Sequence, residues 1–453
     1  MQSTRFMPSR WVSRGLIPCL LLLLLPSSTQ AATSSWVRTV AQISGVSRVL
    51  VDQPTGTTFA MDTGGPLYVL NGATATPPSW FVPGPAGAPT GAMYALDDGQ
   101  GHVLFDWGHG LDLLAPAGTP LPVPHLSAPS LPFNLAVADA PAHRLFEASY
   151  PPHPPVIARD SITGTTAFTT TLPVAKTSAP PSYTVTTVLG VDPIGGLLFV
   201  GGYIGDQTTV TTHGGFGWYL HGEYYLVGIQ DGRIHGSLET SAPPNQVIVA
   251  ASARRLVSFS CPDGSREFFL GDYASAYIQI LDLATHRWLT PRPVPVSSCW
   301  SGTGVAAYDV GSGLNLAYAS TEQLLAVDAG ADRVVVVSPS TQGDQYVQQT
   351  AGQVKLMDLR TASMAGCVQV GTFPDAVAID SRRHRAFIAN GVDGTVTVID
   401  TRGGQILAVV PVGGTPTSIA VDKRDQLVYV ATGSLVYFPE SYQNTRKPPT
   451  VPC

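Results

Sequence analysis

Val370-Gly371 … Phe373-Pro374 … Ala378-Ile379-Asp380 … Phe387-Ile388-Ala389-Asn390 recurs as Val412-Gly413 … Thr415-Pro416 … Ala420-Val421-Asp422 … Tyr429-Val430-Ala431-Thr432. Each element of the second copy lies 42 residues after its counterpart. A sustained period near that length, built from short β-branched runs, marks four-stranded blades repeated around a β-propeller.

The unit is a strand A ending in Asp, a turn, and a strand B with an aromatic or β-branched residue seven positions later. Asp328 leads to Val335, Asp192 to Phe199, Asp139 to Phe146 and Asp52 to Phe59 at that interval. Asp97 reaches Phe105 one residue late, and Ser252, standing in for Asp, reaches Phe259. Eight A–B pairs result, starting near residues 49, 93, 135, 188, 247, 324, 376 and 418. The C strands end in Asp as well: Val396–Asp400, Val354–Asp358 and Ile278–Asp282, with Leu67–Asn71 a looser copy. The expected fold is all-β, an antiparallel propeller of seven or eight blades. Val305–Ser320 reads equally as a C–D hairpin or as an A–B pair. The last repeat stops after its C strand, Leu435–Phe438, and the orphan run Trp36–Ile43 is expected to supply the missing outer strand and close the ring.

Composition agrees with this. The chain has 453 residues, only 12% of them charged, with 46 Gly and 39 Pro, as a many-hairpin β protein requires. A formal net charge of −6 and no concentrated basic run argue against nucleic acid as partner. Arg5, Arg10 and Arg14 precede a short apolar core, Leu16–Leu25, and Thr29-Gln30-Ala31 offers small residues for cleavage after Ala31. The expected organisation is a signal peptide over 1–31, one propeller over 32–438 and a tail over 439–453. The apolar run is too short to span a bilayer, so the mature chain is expected to be secreted or extracytoplasmic, at the cell surface or free, with no membrane span.

Removing the signal leaves Cys261, Cys299, Cys367 and Cys453, an even set without C-x-x-C spacing. Successive antiparallel strands put B–C and D–A connections on one face and A–B and C–D turns on the other. By that parity Cys261 and Cys299 share one face, and Cys367 and the tail to Cys453 the other, which favours those two pairings. The excess over the repeat gathers in B–C connections: Pro151–Pro155, Gly201–Tyr224, Cys261–Ala276 and Ser338–Ala351. The D–A passage Thr290–Gly304 opens on the same face. Elaborated loops on a rigid scaffold are where function concentrates.

Phe387-Ile388-Ala389-Asn390, with Asp380 before it and Gly394–Asp400 after it, resembles the YVTN repeat, and Tyr429-Val430-Ala431-Thr432 is a looser copy. The resemblance covers 324–438. It implies a YVTN/YncE-like β-propeller, a family usually of seven blades and commonly exported. Wider relatives include seven-bladed lactonases and the propeller chains of quinoprotein amine dehydrogenases. The repeat motif carries no catalytic residue, so no role transfers.

No H-E-x-x-H, G-x-S-x-G, Walker or Rossmann pattern occurs, so no catalytic residue, metal site or cofactor is assigned. The recurring Asp residues read as turn devices, because a residue present in almost every blade serves the fold. The candidate binding loop is the insertion around His213, Trp218, Tyr219, His221 and Glu223, which joins glycines, stacking aromatics and a His-x-Glu pair. Three functions are consistent with these features: a non-enzymatic scaffold for a protein, glycan or small molecule, a lactonase-type hydrolase, or a subunit assisting a redox enzyme.

Overall fold

A computed structural model describes residues 37–53, 55–62, 67–71, 80–82, 92–95, 103–106, 111–114, 134–139, 141–149, 155–173, 183–210, 216–240, 244, 246–260, 274–290, 294–299, 324–338 and 351–441. Residues 1–31, where a signal peptide is expected, and Asp97, His213, Cys261, Cys453 and Val305–Ser320 lie outside them.

The described residues are almost entirely antiparallel strands, and they form a β-propeller. The clearest blade runs Pro374–Asp380, Arg385–Asn390, Thr395–Asp400 and Ile406–Pro411 from the inner strand to the outer. Its B strand is buried on both sides, because the blade stacks between two others. Phe387 packs toward the following blade with Val428, Val430 and Phe438, whereas Ile388 packs toward the preceding one with Val335 and Val337. This explains why B strands read as unbroken apolar runs.

All eight A–B pairs are present among the described residues. Their inner strands follow one another side by side from Asn134–Asp139 through Tyr183–Asp192, Gln246–Ala250, Leu325–Asp328 and Pro374–Asp380 to Ser418–Asp422, Arg38–Asp52 and Ala92–Ala95. Ring closure follows the expectation. The first half of the strand Arg38–Asp52 pairs with Gly433–Pro439 as the outer strand of the last blade. Its second half pairs with Thr57–Asp62 as the inner strand of the first.

One assignment is corrected. Ala250 pairs with Arg255 as Asp380 pairs with Arg385, so Ala250 holds the Asp position and Ser252 does not. Ser252 sits instead in the short 3-10 turn Ala251–Ala253. A second correction concerns Thr290–Gly304. Val294–Cys299 pairs with Ala274–Asp282 and is therefore outer strand rather than connection. It is separated from Arg287–Trp288, on the same partner, by a stretch holding Pro291 and Pro293, which lack the N–H a ladder needs.

The A–B turns share one geometry. The fourth residue after the Asp position has a left-handed backbone in Gly56, His143, Gly196, Arg254, Asp332, His384 and Gln426. The Asp carboxylates accept backbone N–H groups of the turn, as expected: Asp380 from Arg382 (3.0 Å), Asp422 from Arg424 (2.9 Å), Asp328 from Ala331 (3.1 Å). C–D turns repeat the device, with Asp358 Oδ1 accepting from Arg360 and Thr361 at 2.9 Å each. There the carboxylate also meets the first arginine of strand B, as in Arg255–Asp282 (2.7 Å) and Arg333–Asp358 (3.1 Å).

Where the last blade meets its predecessor, two buried carboxyls adjoin. Glu440 and Asp380 are each fully buried, and Arg383 pairs with both. Burial and then the Asp380 charge push the Glu440 carboxyl up to about 7, against the pull of Arg383 and Arg382. For Asp380, burial is outweighed by hydrogen bonds from the Arg382 N–H, Glu440 and Arg383, and its carboxyl stays below the usual range. A protonated Glu440 therefore donates to an ionised Asp380. Because the folded value of Glu440 exceeds its unfolded one, this contribution is complete below about pH 4.5 and is lost as pH rises through about 7. Glu440→Gln keeps a neutral donor. It should remove that part of the stability loss between pH 5 and 8, measured as the difference in denaturant midpoint between variant and parent at each pH.

Candidate functional site

Among the described residues, the insertion singled out by its length is strand rather than loop. Leu197–Val210 and Phe216–Gly228 are the B and C strands of one blade, paired from Leu197↔Gly228 out to Val210↔Phe216. The inner strand follows them as far as Tyr183↔Gly205. The outer strand Ile234–Thr240 stops at Gly222↔Thr240. Phe216–His221 therefore continues past the last residue that the outer strand covers, by about 20 Å at the usual strand rise. Thr208, Thr209 and Val210 on one arm and the aromatics on the other suit a strand, which overrides the glycines.

The candidate residues fall at different heights of this hairpin. The backbone of His221 faces Ile204 and that of Tyr219 faces Asp206. Trp218 lies at the register shift between Asp206 and Thr209. Glu223 is half-buried at the base, with Gly202 on one side and Glu239 on the other. The stretch Trp218–Glu223 thus belongs to one strand, and His213 is outside the described residues. Among the described residues, no group of three His, Cys, Asp or Glu side chains is placed to hold a metal ion.

Tyr224, at the end of that insertion, fixes the hairpin to the body. It is fully buried, donates to Ser258 Oγ at 2.8 Å in the next blade, and its ring lies 6.2 Å from that of Trp288. Burial raises its phenol far above the ordinary value, so it remains a neutral donor. Trp288 Nε1 in turn donates to the Glu239 carbonyl at 3.0 Å. Gly201 makes room for this wedge, since a Cβ there would sit 2.4 Å from Tyr224 Cε1 and 2.6 Å from a Val188 methyl. The signal for this anchor was present in the alternation of strand C, where Tyr224 and Leu226 belong to the interface with the next blade.

Gly201→Ala should therefore lower stability by about 1–3 kcal/mol through overpacking, and Tyr224→Phe by about 1 kcal/mol through the lost hydrogen bond. Chemical denaturation of the two variants checks both values.

No family model and no curated protein sequence matches the chain. Among solved structures, BamB from Moraxella catarrhalis is 13% identical with a TM-score of 0.46, covering 89% of this chain and 98% of that one. The C-terminal WD40 domain of Sif2 is 12% identical with a TM-score of 0.49, covering 89% and 98%. Hydrazine synthase from Kuenenia stuttgartiensis is 11% identical with a TM-score of 0.46, covering 89% and 97%.

Proposed function

We propose that the chain is an exported, YVTN-type propeller that acts as a non-enzymatic binding scaffold, with the hairpin Leu197–Gly228 as its main contact element. The observation that carries this reading is the hairpin itself: two strands leave the blade past its outer strand, yet are seated by Tyr224 against the neighbouring blade. A seated, protruding ribbon offers a partner preformed backbone and side-chain contacts at little ordering cost. Export is supported by the basic leader, the short apolar core and the small residues before Ala32. The ligand class is a protein, a glycan or a small molecule on the face from which B–C connections emerge.

Replacing 206–218 by Asn-Gly in the mature protein from Ala32 tests the assignment. The trimmed protein should keep its melting temperature within a few degrees, since Tyr224 and the blade core remain. It should lose the thermal shift given by ligands found in a screen of the parent. Undiminished binding after trimming, or turnover of lactones by the metal-supplemented parent, would reject the scaffold reading.

An exported chain with four cysteines after cleavage favours disulfides. Cys367 lies in the outer strand Met364–Thr372 and is disulfide-bonded. The proposed pairs are Cys367–Cys453, which ties the tail to the ring, and Cys261–Cys299. Peptide mapping without reductant should recover these two crosslinked pairs; any other pairing rejects the face assignment on which they rest.

A further inference from the structure

Where an inner strand ends in a buried Asp, that Asp faces two positions of the following blade. One is the left-handed residue of that blade's A–B turn. The other is the residue just after its C strand, whose backbone N–H donates to the carbonyl of the first. At three described junctions, side chains from these positions engage the carboxylate. Arg254 Nη1 donates to both oxygens of Asp192, at 2.6 and 2.7 Å. His384 Nδ1 lies 3.1 Å from Asp328 Oδ2, which also accepts from Thr401 Oγ1 at 2.5 Å. Asp380 meets Glu440, with Arg383 bridging on to Gln426.

At Asp139 both positions fail. The following blade presents Gly196 and Ile229 there, joined by the same backbone bond at 3.1 Å. Asp139 is 2% exposed, no side chain among the described residues pairs with its carboxylate, and burial raises its carboxyl above the usual range against the pull of the Ala142 N–H in its own turn. Around Gly196, nothing lies within 4 Å of where a Cβ would stand. Gly56 at the ring closure provides the contrast, because Arg424 fills its space with Cδ 3.1 Å from the same point. Asp139 is thus a buried carboxyl with no cross-blade partner, beside an open slot that elsewhere in the ring holds a cationic or polar group. Leaving such a carboxylate uncompensated is costly. Ile194, in the same turn as Gly196, is 65% exposed, and Ile162 in the C–D turn of the Asp139 blade is 55% exposed.

We propose that the slot between Asp139 and Gly196 is a binding site for the guanidinium of an arginine on a partner protein, with Ile194 as its apolar flank. It lies on the short-turn face, opposite the end from which the long hairpin projects. It is independent of the binding role assigned to that hairpin. Arg254 on Asp192 shows the geometry such a guanidinium would take.

N-acetyl-arginine amide and its neutral isostere N-acetyl-citrulline amide are the probes, and the readout is thermal melting at matched ionic strength. The arginine probe should raise the parent's Tm by about 1–2 °C more than citrulline at several times its Kd. Asp139→Asn removes the anion. Gly196→Arg fills the slot from within, on a backbone that Arg254 already tolerates at a similar φ. Both variants should respond equally to the two probes, and G196R alone should melt at or above the parent. Equal responses in the parent, or an arginine preference that survives in either variant, would overturn the site.

Discussion

One continuous backbone, Arg38–Asp52, belongs to two blades, and the ring depends on it. Its partners in the last blade are nearly 400 residues away. Bringing such ends together costs on the order of 5 kcal/mol in chain entropy. That cost is met by burying Val40, Ile43 and Val46 in a cluster that also holds Tyr429, Leu435 and Tyr437 of the last blade. Without this strand Gly433–Pro439 would be an open edge, and the mutual stacking that keeps B strands dry on both sides would end at the last blade. A fold closed by so distant a pairing should also be slow to complete.

The uniform turns provide a second constraint. Five of the seven left-handed A–B positions are not glycine, and each such residue costs roughly 1 kcal/mol of backbone strain. Arg254 and His384 offset it with cross-blade contacts, which stitch the short-turn side of the ring together. Gly196 avoids the strain and forgoes the contact, so local ease in one blade leaves Asp139, in the blade before it, without a cross-blade side-chain partner. Elsewhere an identical scaffold was free to diverge, because strands B and C can lengthen at their far ends without disturbing these turns.

The spacing from Asp to the aromatic located the inner pairs from sequence because both residues are forced, the first by the turn and the second by burial between blades. In one blade the pair is where the spacing puts it but the Asp position is not, because Ala250 lacks the carboxylate and Phe259 happens to restore the interval from Ser252. In the sequence the hairpin reads as a loop because its glycines and aromatics look irregular, although Thr208–Val210 are β-formers. The role of Tyr224 is not legible in the sequence, since a wedge is defined by the space opposite it, at Gly201, and that is a three-dimensional fact. Asp139 looked like its sisters for the same reason. Its distinction lies in Gly196 and Ile229 of another blade, and it becomes visible in the sequence only when the left-handed position is compared across repeats.

The strand that closes the ring also determines how it would fail under load. Arg38 lies opposite Tyr437, and Val46 opposite Gly433, so the chain enters and leaves the closing pair at the same end. Tension applied between residues 37 and 441 would act on the Arg38–Tyr437 bonds first and then on each pair in turn. Antiparallel strands loaded this way unzip at low force, whereas strands pulled from opposite ends must shear all their bonds together. A propeller that heat would melt as a unit would therefore open mechanically from one seam, and a crosslink from the tail to Cys367 would divert the load into the blade two before it.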